Sequence, residues 1–224
     1  MSNGNSPVRP DGEGLRYFGL YPAIVTDIVD PSRLGRIQVS LPWLGLGGDT
    51  VRAWATLLTP YAEDGQGFQM LPSVDTEVVV AFEAGELRRP YIVGAAWNGK
   101  ESLPDNPVPD NNKRLIKTRS GSLLEFDDTS GASKVTLSMS SGHRLVMDDA
   151  ASEIQLTHAN GCIIKFTAAG QIEVQANATV EVTATAVNVH APVATFDGII
   201  NCTTLIASSG VVSPSYTPGA GNIW

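Results

Sequence analysis

The sequence predicts an all-β protein in two parts, a small N-terminal barrel and a C-terminal β segment that needs partner chains. Short runs rich in β-branched residues, the lack of a convincing amphipathic helix between them, and a long apolar/polar alternation near the C-terminus predict this class. Of 224 residues, 42% are hydrophobic, which is enough for a globular core. The formal charge of -8 argues against nucleic acid as a partner and against docking on anionic lipid.

Turn residues divide the N-terminal part into five β-rich runs. Residues 1–16 lack periodicity and are predicted to be a flexible tail. Pro31 and Gly35 favour a tight connection between the first two runs. Five short strands without an intervening helix predict a closed or partly closed barrel of OB type over residues 17–98. The predicted strands are Phe18 to Val29, Gly35 to Trp43, Val51 to Leu58, Glu77 to Phe82, and Pro90 to Ala96.

A proline-rich linker, residues 99–112, separates the barrel from a repeated unit. Each unit is a turn followed by a strand, and its glycine recurs at Gly121, Gly142 and Gly161. Self-similarity at this period is typical of stacked strand units, none of which buries its apolar face alone. The segment from residue 113 to 224 is therefore predicted to associate with identical copies.

Apolar and polar residues alternate strictly from residue 172 to residue 186, which is a strand pattern. The alternation continues one residue out of phase from Val187, so a bend, bulge or short turn is expected near Ala186 and Val187. The inward residues are small, which suits a narrow interior where three chains approach one axis, with a monomeric solenoid as the alternative. The predicted trimer core is Val174, Ala176, Ala178, Val180, Val182 and Ala184.

Three sequence blocks carry a family resemblance. They are Tyr21 to Trp43, then Gly67 to Pro72 with Thr76 to Phe82 and Arg89 to Asn98, and finally Arg114 to Thr129. In this order and spacing they resemble phage baseplate assembly protein V, the T4 central spike and the VgrG proteins of type VI secretion. The resemblance implies a homotrimer in which three OB-fold barrels form a collar and residues 113–224 wind into a triple-stranded β-helix needle.

Two departures from the family shape the expected role. VgrG proteins carry a hub-like domain ahead of the barrel, and the T4 spike carries a lysozyme domain before its needle. This sequence has a short tail and a linker at those positions, so the resemblance implies a short stand-alone spike that needs a separate hub protein. It would be assembled in the bacterial cytoplasm and reside in a phage virion or phage-tail-like particle. Sheath contraction would drive it through the target envelope, with transient mechanical contact with the membrane.

No catalytic site, cofactor or metal is predicted. The histidines His143, His158 and His190 have no nucleophile-elbow context. The His-x-His motif that binds iron at the tip of some short phage spikes is missing from the sequence. One histidine from each of three strands meeting at the axis stays an alternative. The doublets Asp127-Asp128 and Asp148-Asp149 lack the spacing of a calcium loop and are interpreted as turn carboxylates.

The C-terminal segment is expected to dock a conical tip protein of the PAAR type. Tyr216, Ile223 and Trp224 are the predicted platform, and folding back to plug the needle is the alternative. A second hypothesis for the whole chain is an OB-fold module that binds oligosaccharide or nucleic acid, with an oligomerising β tail. The barrel's tryptophans are not interleaved with basic residues, so collar packing is favoured over that hypothesis.

Overall fold

The computed structural model describes residues 16–45 and 51–213, whose regular elements are β-strands apart from one 3-10 turn at Glu83–Gly85. These residues form a closed five-stranded barrel, a two-stranded hairpin and a seven-stranded sheet. The predicted all-β class with an N-terminal barrel is confirmed. Within the described ranges, no helix is long and apolar enough to cross a membrane.

All five predicted runs of the barrel contain an observed strand. The barrel strands are β1 Tyr21–Asp27, β2 Ile37–Ser40, β3 Arg52–Leu57, β6 Glu77–Phe82 and β7 Pro90–Ala95, and the hairpin strands are β4 Ala62–Glu63 and β5 Gln66–Gly67. The order around the wall is β1, β2, β3, β7, β6, and only the β3–β7 pair is parallel. The hairpin between β3 and β6 was not predicted, because its two-residue strands are too short to show a period.

The barrel buries its apolar side chains almost completely. Alternation explains this in β6, where Val78, Val80 and Phe82 are buried and the residues between them are half-buried. Tyr21 and Trp43 stack at 4.5 Å between ring centroids and pack against this core. The core consists of Ala23, Val25, Ile37, Val39, Leu41, Ala55, Val78, Val80, Phe82 and Ile92.

A buried ion pair organises the connection between β1 and β2. The Asp30 carboxylate accepts hydrogen bonds from the Arg36 guanidinium, at 2.9 Å from Nε and 3.1 Å from Nη2. It also accepts the backbone N–H groups of Ser32 at 2.9 Å and Leu34 at 3.1 Å. The Arg36 guanidinium holds the pKa of Asp30 well below its usual range, and the backbone donors act in the same direction. The tight connection predicted from Pro31 and Gly35 is therefore held by a carboxylate that the turn signal did not reveal.

The second part of the chain forms a regular antiparallel sheet over residues 113–175. Its seven strands follow one another in chain order, β8 to β14. No register shift separates successive strands, so the sheet is rectangular. The strands are β8 Lys113–Lys117, β9 Leu123–Asp127, β10 Lys134–Ser138, β11 Arg144–Asp148, β12 Glu153–Thr157, β13 Ile163–Phe166 and β14 Ile172–Gln175.

The repeated glycines close the hairpin turns of this sheet. In the turn after β10, the N–H of Met139 donates to the carbonyl of His143, and the N–H of Gly142 donates to the carbonyl of Met139. Gly142 has φ +98°, a left-handed conformation that favours glycine. The same bonding recurs in the turns that contain Gly121 and Gly161, which confirms the predicted turn-and-strand unit.

Residues 176–213 run as a bent chain outside the sheet. Neither helix nor strand is assigned to them, and the residues after Ala176 are exposed. A bend at Thr185 lies directly before the phase slip at Ala186 and Val187, as predicted. The predicted continuous strand from residue 172 thus pairs within the chain only as far as Gln175.

Candidate assembly surface

The seven-stranded sheet has one face that is almost entirely apolar. Two registered rows of side chains, separated by one residue along each strand, point to this face. We call these 14 positions the apolar face, and Arg114 is its one polar member. Its rows are Arg114, Phe126, Val135, Met147, Ile154, Phe166, Ile172, and Ile116, Leu124, Leu137, Leu145, Leu156, Ile164, Val174.

The apolar face is uncovered in a single copy of the chain. Leu137 is 51% exposed, Leu156 is 50% exposed and Phe126 is 44% exposed. The barrel core residues have relative exposures between 0% and 8%. A contiguous apolar surface of this extent is typical of a protein-protein interface. The rows include large residues such as Leu, Phe and Met, so a partner sheet is needed to bury them.

The opposite face of the sheet is charged and pairs internally. Lys134 Nζ lies 2.7 Å from Asp148 Oδ2, and Lys165 Nζ lies 2.9 Å from Glu153 Oε1. The Lys134 ammonium lowers the pKa of Asp148, and the Glu153 carboxylate raises the pKa of Lys165. Cross-strand pairs of opposite charge favour solvent on this side. The sheet is therefore amphipathic, with one apolar face and one charged face.

One predicted trimer-core residue lies in the sheet's last strand, β14, and the others lie in the chain that follows it. Val174 belongs to the apolar face and is 57% exposed in one copy. The remaining five lie in the bent chain after β14, where Val180 and Val182 are also exposed. The structure therefore brings only Val174 together with other apolar residues. The predicted tip platform, Tyr216, Ile223 and Trp224, lies outside the described residues.

Sequence reasoning missed most of the apolar face. It took the small Ala and Val residues after 172 as the interior, whereas residues 113–175 present large side chains. The signal was available within each repeat, where Leu124 and Phe126, or Leu145 and Met147, occupy alternate positions. The repeated glycines indicated only the positions of the turns. Each strand was too short to show the period-two alternation by itself.

The polar candidates form no metal centre in the described part of the chain. Among these residues, no group of three or more His, Cys, Asp or Glu is placed to hold an ion. His143 and His158 lie in adjacent turns with ring centroids 4.4 Å apart, and His190 lies in the bent chain. Cys162 and Cys202 are both free, with the first half-buried and the second exposed.

The first Asp of each doublet serves as a turn carboxylate, which confirms the interpretation for Asp127 and Asp148 but not for Asp128 and Asp149. Asp127 accepts a hydrogen bond from the Thr129 hydroxyl at 2.6 Å and another from the Thr129 N–H at 3.0 Å, and the hydroxyl lowers the pKa of Asp127. Asp148 accepts the N–H of Ala151 at 3.0 Å. Each first member of a doublet therefore orders its own loop.

A second apolar surface lies on the barrel. Leu58, Phe68, Met70 and Leu71 line a groove of about 340 Å³ between β3, β7 and the segment before β6. These four side chains are between 44% and 51% exposed. The barrel thus offers a contact surface of its own, separate from the apolar face of the sheet.

Comparison with known proteins shows what the barrel resembles. Residues 21–97 match the family described as the type VI secretion system/phage-baseplate injector OB domain. The barrel is similar to this injector OB domain. Its resemblance to the spike family, which the three sequence blocks predicted, is thereby confirmed for this part of the chain.

Curated relatives of the chain include type VI secretion system spike proteins and a toxin. The type VI secretion system spike protein VgrG4b of Pseudomonas aeruginosa is 28% identical over 107 residues, 45% of this chain and 13% of that protein. VgrG3 of Vibrio cholerae is 25% identical over 111 residues, 46% of this chain and 11% of that protein. The actin cross-linking toxin VgrG1 of Vibrio cholerae is 24% identical over 110 residues, 46% of this chain and 10% of that protein. The chain thus spans only about a tenth of these relatives.

Proposed function

We propose that this protein is the structural central spike of a contractile tail or injection machine and acts as a homotrimer. The observation that carries the proposal is an injector OB domain followed by a sheet whose apolar face is uncovered. Three such sheets, packed with their apolar faces toward one axis, form a closed prism with the charged faces in water. Burying a large apolar side chain contributes about 1.5–3 kcal/mol, so the 13 apolar positions of each face make a strong driving force.

The bent chain after β14 is the proposed narrow part of the needle. Its backbone is exposed in a single copy, and pairing with other copies would satisfy the backbone N–H and C=O groups once the chain is buried in the needle. Val180, Val182 and Ala184 would then face the axis, where small residues let three chains approach. Continuous pairing between chains gives the stiffness that piercing a target envelope requires.

Two partners complete the proposal. A hub protein of the baseplate would hold the collar of barrels, and the barrel groove lined by Phe68 and Met70 is a surface suited to such a contact. A tip protein of the PAAR type would dock on Tyr216, Ile223 and Trp224. Replacing Ile223 and Trp224 with Ala should abolish capture of the tip protein and leave the trimer intact, and unchanged capture would refute the platform.

Molecular mass in solution tests the proposal. Light scattering on the full chain should give three times the chain mass of 23.7 kDa at micromolar concentration. Co-purification with a hub protein from the same gene neighbourhood should follow. A monomer that exposes its apolar face would contradict the spike. Micromolar binding to an oligonucleotide or glycan, without hub binding, would instead favour the OB binding module.

A further inference from the structure

The rectangular sheet has two rims, formed by the connections at the two ends of its strands. The turn rim comprises residues 117–123, 138–144 and 157–163, and the loop rim comprises residues 127–134, 148–153 and 166–172. A Cβ atom added to Gly142 would lie 3.5 Å from Ala159 Cβ, so adjacent turns of the turn rim touch. Each rim is thus a continuous surface that runs across the strands.

The two rims carry opposite charge. The turn rim holds three cationic residues, Lys117, Arg119 and Arg144, and its segments contain no carboxylate. The loop rim holds five carboxylates and one lysine, a formal charge of -4. The carboxylates are Asp127, Asp128, Asp148, Asp149 and Glu153.

Some of these charges are left without partners in a single copy. Asp127 and Asp148 bind within their own loops, whereas Asp128 and Asp149 are exposed. Neither Asp128 nor Asp149 uses its carboxylate in a hydrogen bond or ion pair with another described residue. The exposed Arg144 likewise makes no ion pair in the described part of the chain.

Rotational symmetry decides which rims meet. Cyclic packing of three sheets joins each turn rim to the loop rim of the next copy, because the contacts of a ring are heterologous. A face-to-face dimer whose twofold axis runs parallel to the strands would join like rims and oppose like charges. Successive connections along the chain lie alternately on the turn rim and on the loop rim. Each is displaced from the previous one by one strand spacing, about 4.8 Å, along the direction in which the strands stack. The turn at 139–143 therefore lies level with the gap between the loops at 128–133 and 149–152 of the next copy.

We propose that the two rims are docking surfaces for each other, closing the ring head to tail. The partner is a second copy of this chain, and the inference rests on the proposed trimeric spike. In this register Arg144 lies between Asp128 and Asp149 of the next copy. The charge segregation disfavours a twofold pair that joins like rims, favours the closed ring, and sets which turn of one copy meets which loops of the next.

An engineered disulfide tests the register. In a background with Cys162→Ser and Cys202→Ser, the pair Ser141→Cys and Ala150→Cys should give a covalent trimer on a non-reducing gel. The two positions lie at opposite ends of β11, about 17 Å apart within one copy, which is too far for an internal disulfide. The control pair Ser141→Cys and Ala168→Cys differs by three strand spacings, about 14 Å, and should not cross-link between copies.

Sizing of the reduced protein separates this inference from the proposed function. A reduced trimer in which the control pair cross-links, or in which neither pair does, overturns the rim register and leaves the spike standing. A reduced monomer overturns both.

Charge reversal tests the electrostatic part. Arg144→Glu, or Asp128→Lys with Asp149→Lys, should lower the melting temperature of the trimer, because like charges then face each other. All three changes together should restore most of the loss. Glu63→Lys with Asp64→Lys, on the hairpin of the barrel, makes the same net charge change as Asp128→Lys with Asp149→Lys and should leave the melting temperature almost unchanged. A triple variant no more stable than either reversed rim would overturn the pairing.

Discussion

The barrel and the sheet share the same period-two patterning, but only the barrel buries its apolar side chains within one chain. In the barrel, the alternate positions Val78 and Val80 turn inward and reach 0% exposure, because the wall closes on itself. In the sheet, the alternate positions Leu145 and Met147 lie on the uncovered apolar face, and Met147 remains 42% exposed. A single chain can complete the first core but only half of the second. The difference teaches that the barrel completes its own core, whereas the sheet leaves its apolar face uncovered within one copy.

Placing a charge on the apolar face of the sheet should have the largest effect on assembly. Leu156→Lys would place three ammonium groups inside the prism, and an unpaired buried charge costs several kcal/mol. We expect loss of the trimer in light scattering, while the barrel still unfolds cooperatively. The matched control is Gln155→Lys, the same residue introduced one position earlier on the charged face. A stable Leu156→Lys trimer would contradict the inward placement of this face.

The same logic extends to the bent chain with a smaller expected effect. Val182→Asp should prevent assembly of the needle beyond the sheet, because three carboxylates would meet near one axis. Limited proteolysis should then cut residues 176–213 while residues 113–175 stay protected. Thr183→Asp, at the neighbouring outward position, should leave this segment protected. Equal protease sensitivity in the two variants would refute the predicted trimer core.

Removing the buried carboxylate of the barrel should affect only the barrel. Asp30→Asn loses the ion pair with Arg36 and should lower the melting temperature of the barrel by several degrees. The native pKa of Asp30 is depressed, so its contribution is complete above the unfolded value near 4 and falls as the pH drops below it. Calorimetry between pH 2 and 7 should show a steeper acid loss in the native protein than in Asp30→Asn. Parallel curves would contradict this role.

A turn substitution should give the smallest effect. Gly142→Ala forces a side chain into φ +98°, which costs about 1–2 kcal/mol in a left-handed conformation. The melting transition of the assembled sheet should shift down slightly, without loss of the trimer. Gly94→Ala in β7 is the control, since its φ is not left-handed and an added Cβ meets no atom within 4 Å. A larger loss in the control would contradict the turn assignment.

Local patterns were enough to predict most of the elements. The five barrel strands, the glycine turns and the bend before Val187 follow from turn chemistry and period two, which depend on neighbouring residues alone. The Asp30–Arg36 pair and the β4–β5 hairpin did not follow, because a carboxylate in a turn and a two-residue strand carry no distinctive pattern.

The sequence by itself determined the all-β class and the repeated turn-and-strand unit, and the need of the second half for partners stays a prediction. Only the tertiary structure decided where the apolar surface lies. Register brings Leu137 beside Leu145 and Phe126 beside Val135, and such lateral pairing joins residues on neighbouring strands, which the period within one strand does not show. Strand stacking likewise gathered Arg144 on one rim and Asp149 on the other. The residues of one repeat show alternation, but seven strands in register are needed to bring the apolar positions together as one continuous surface.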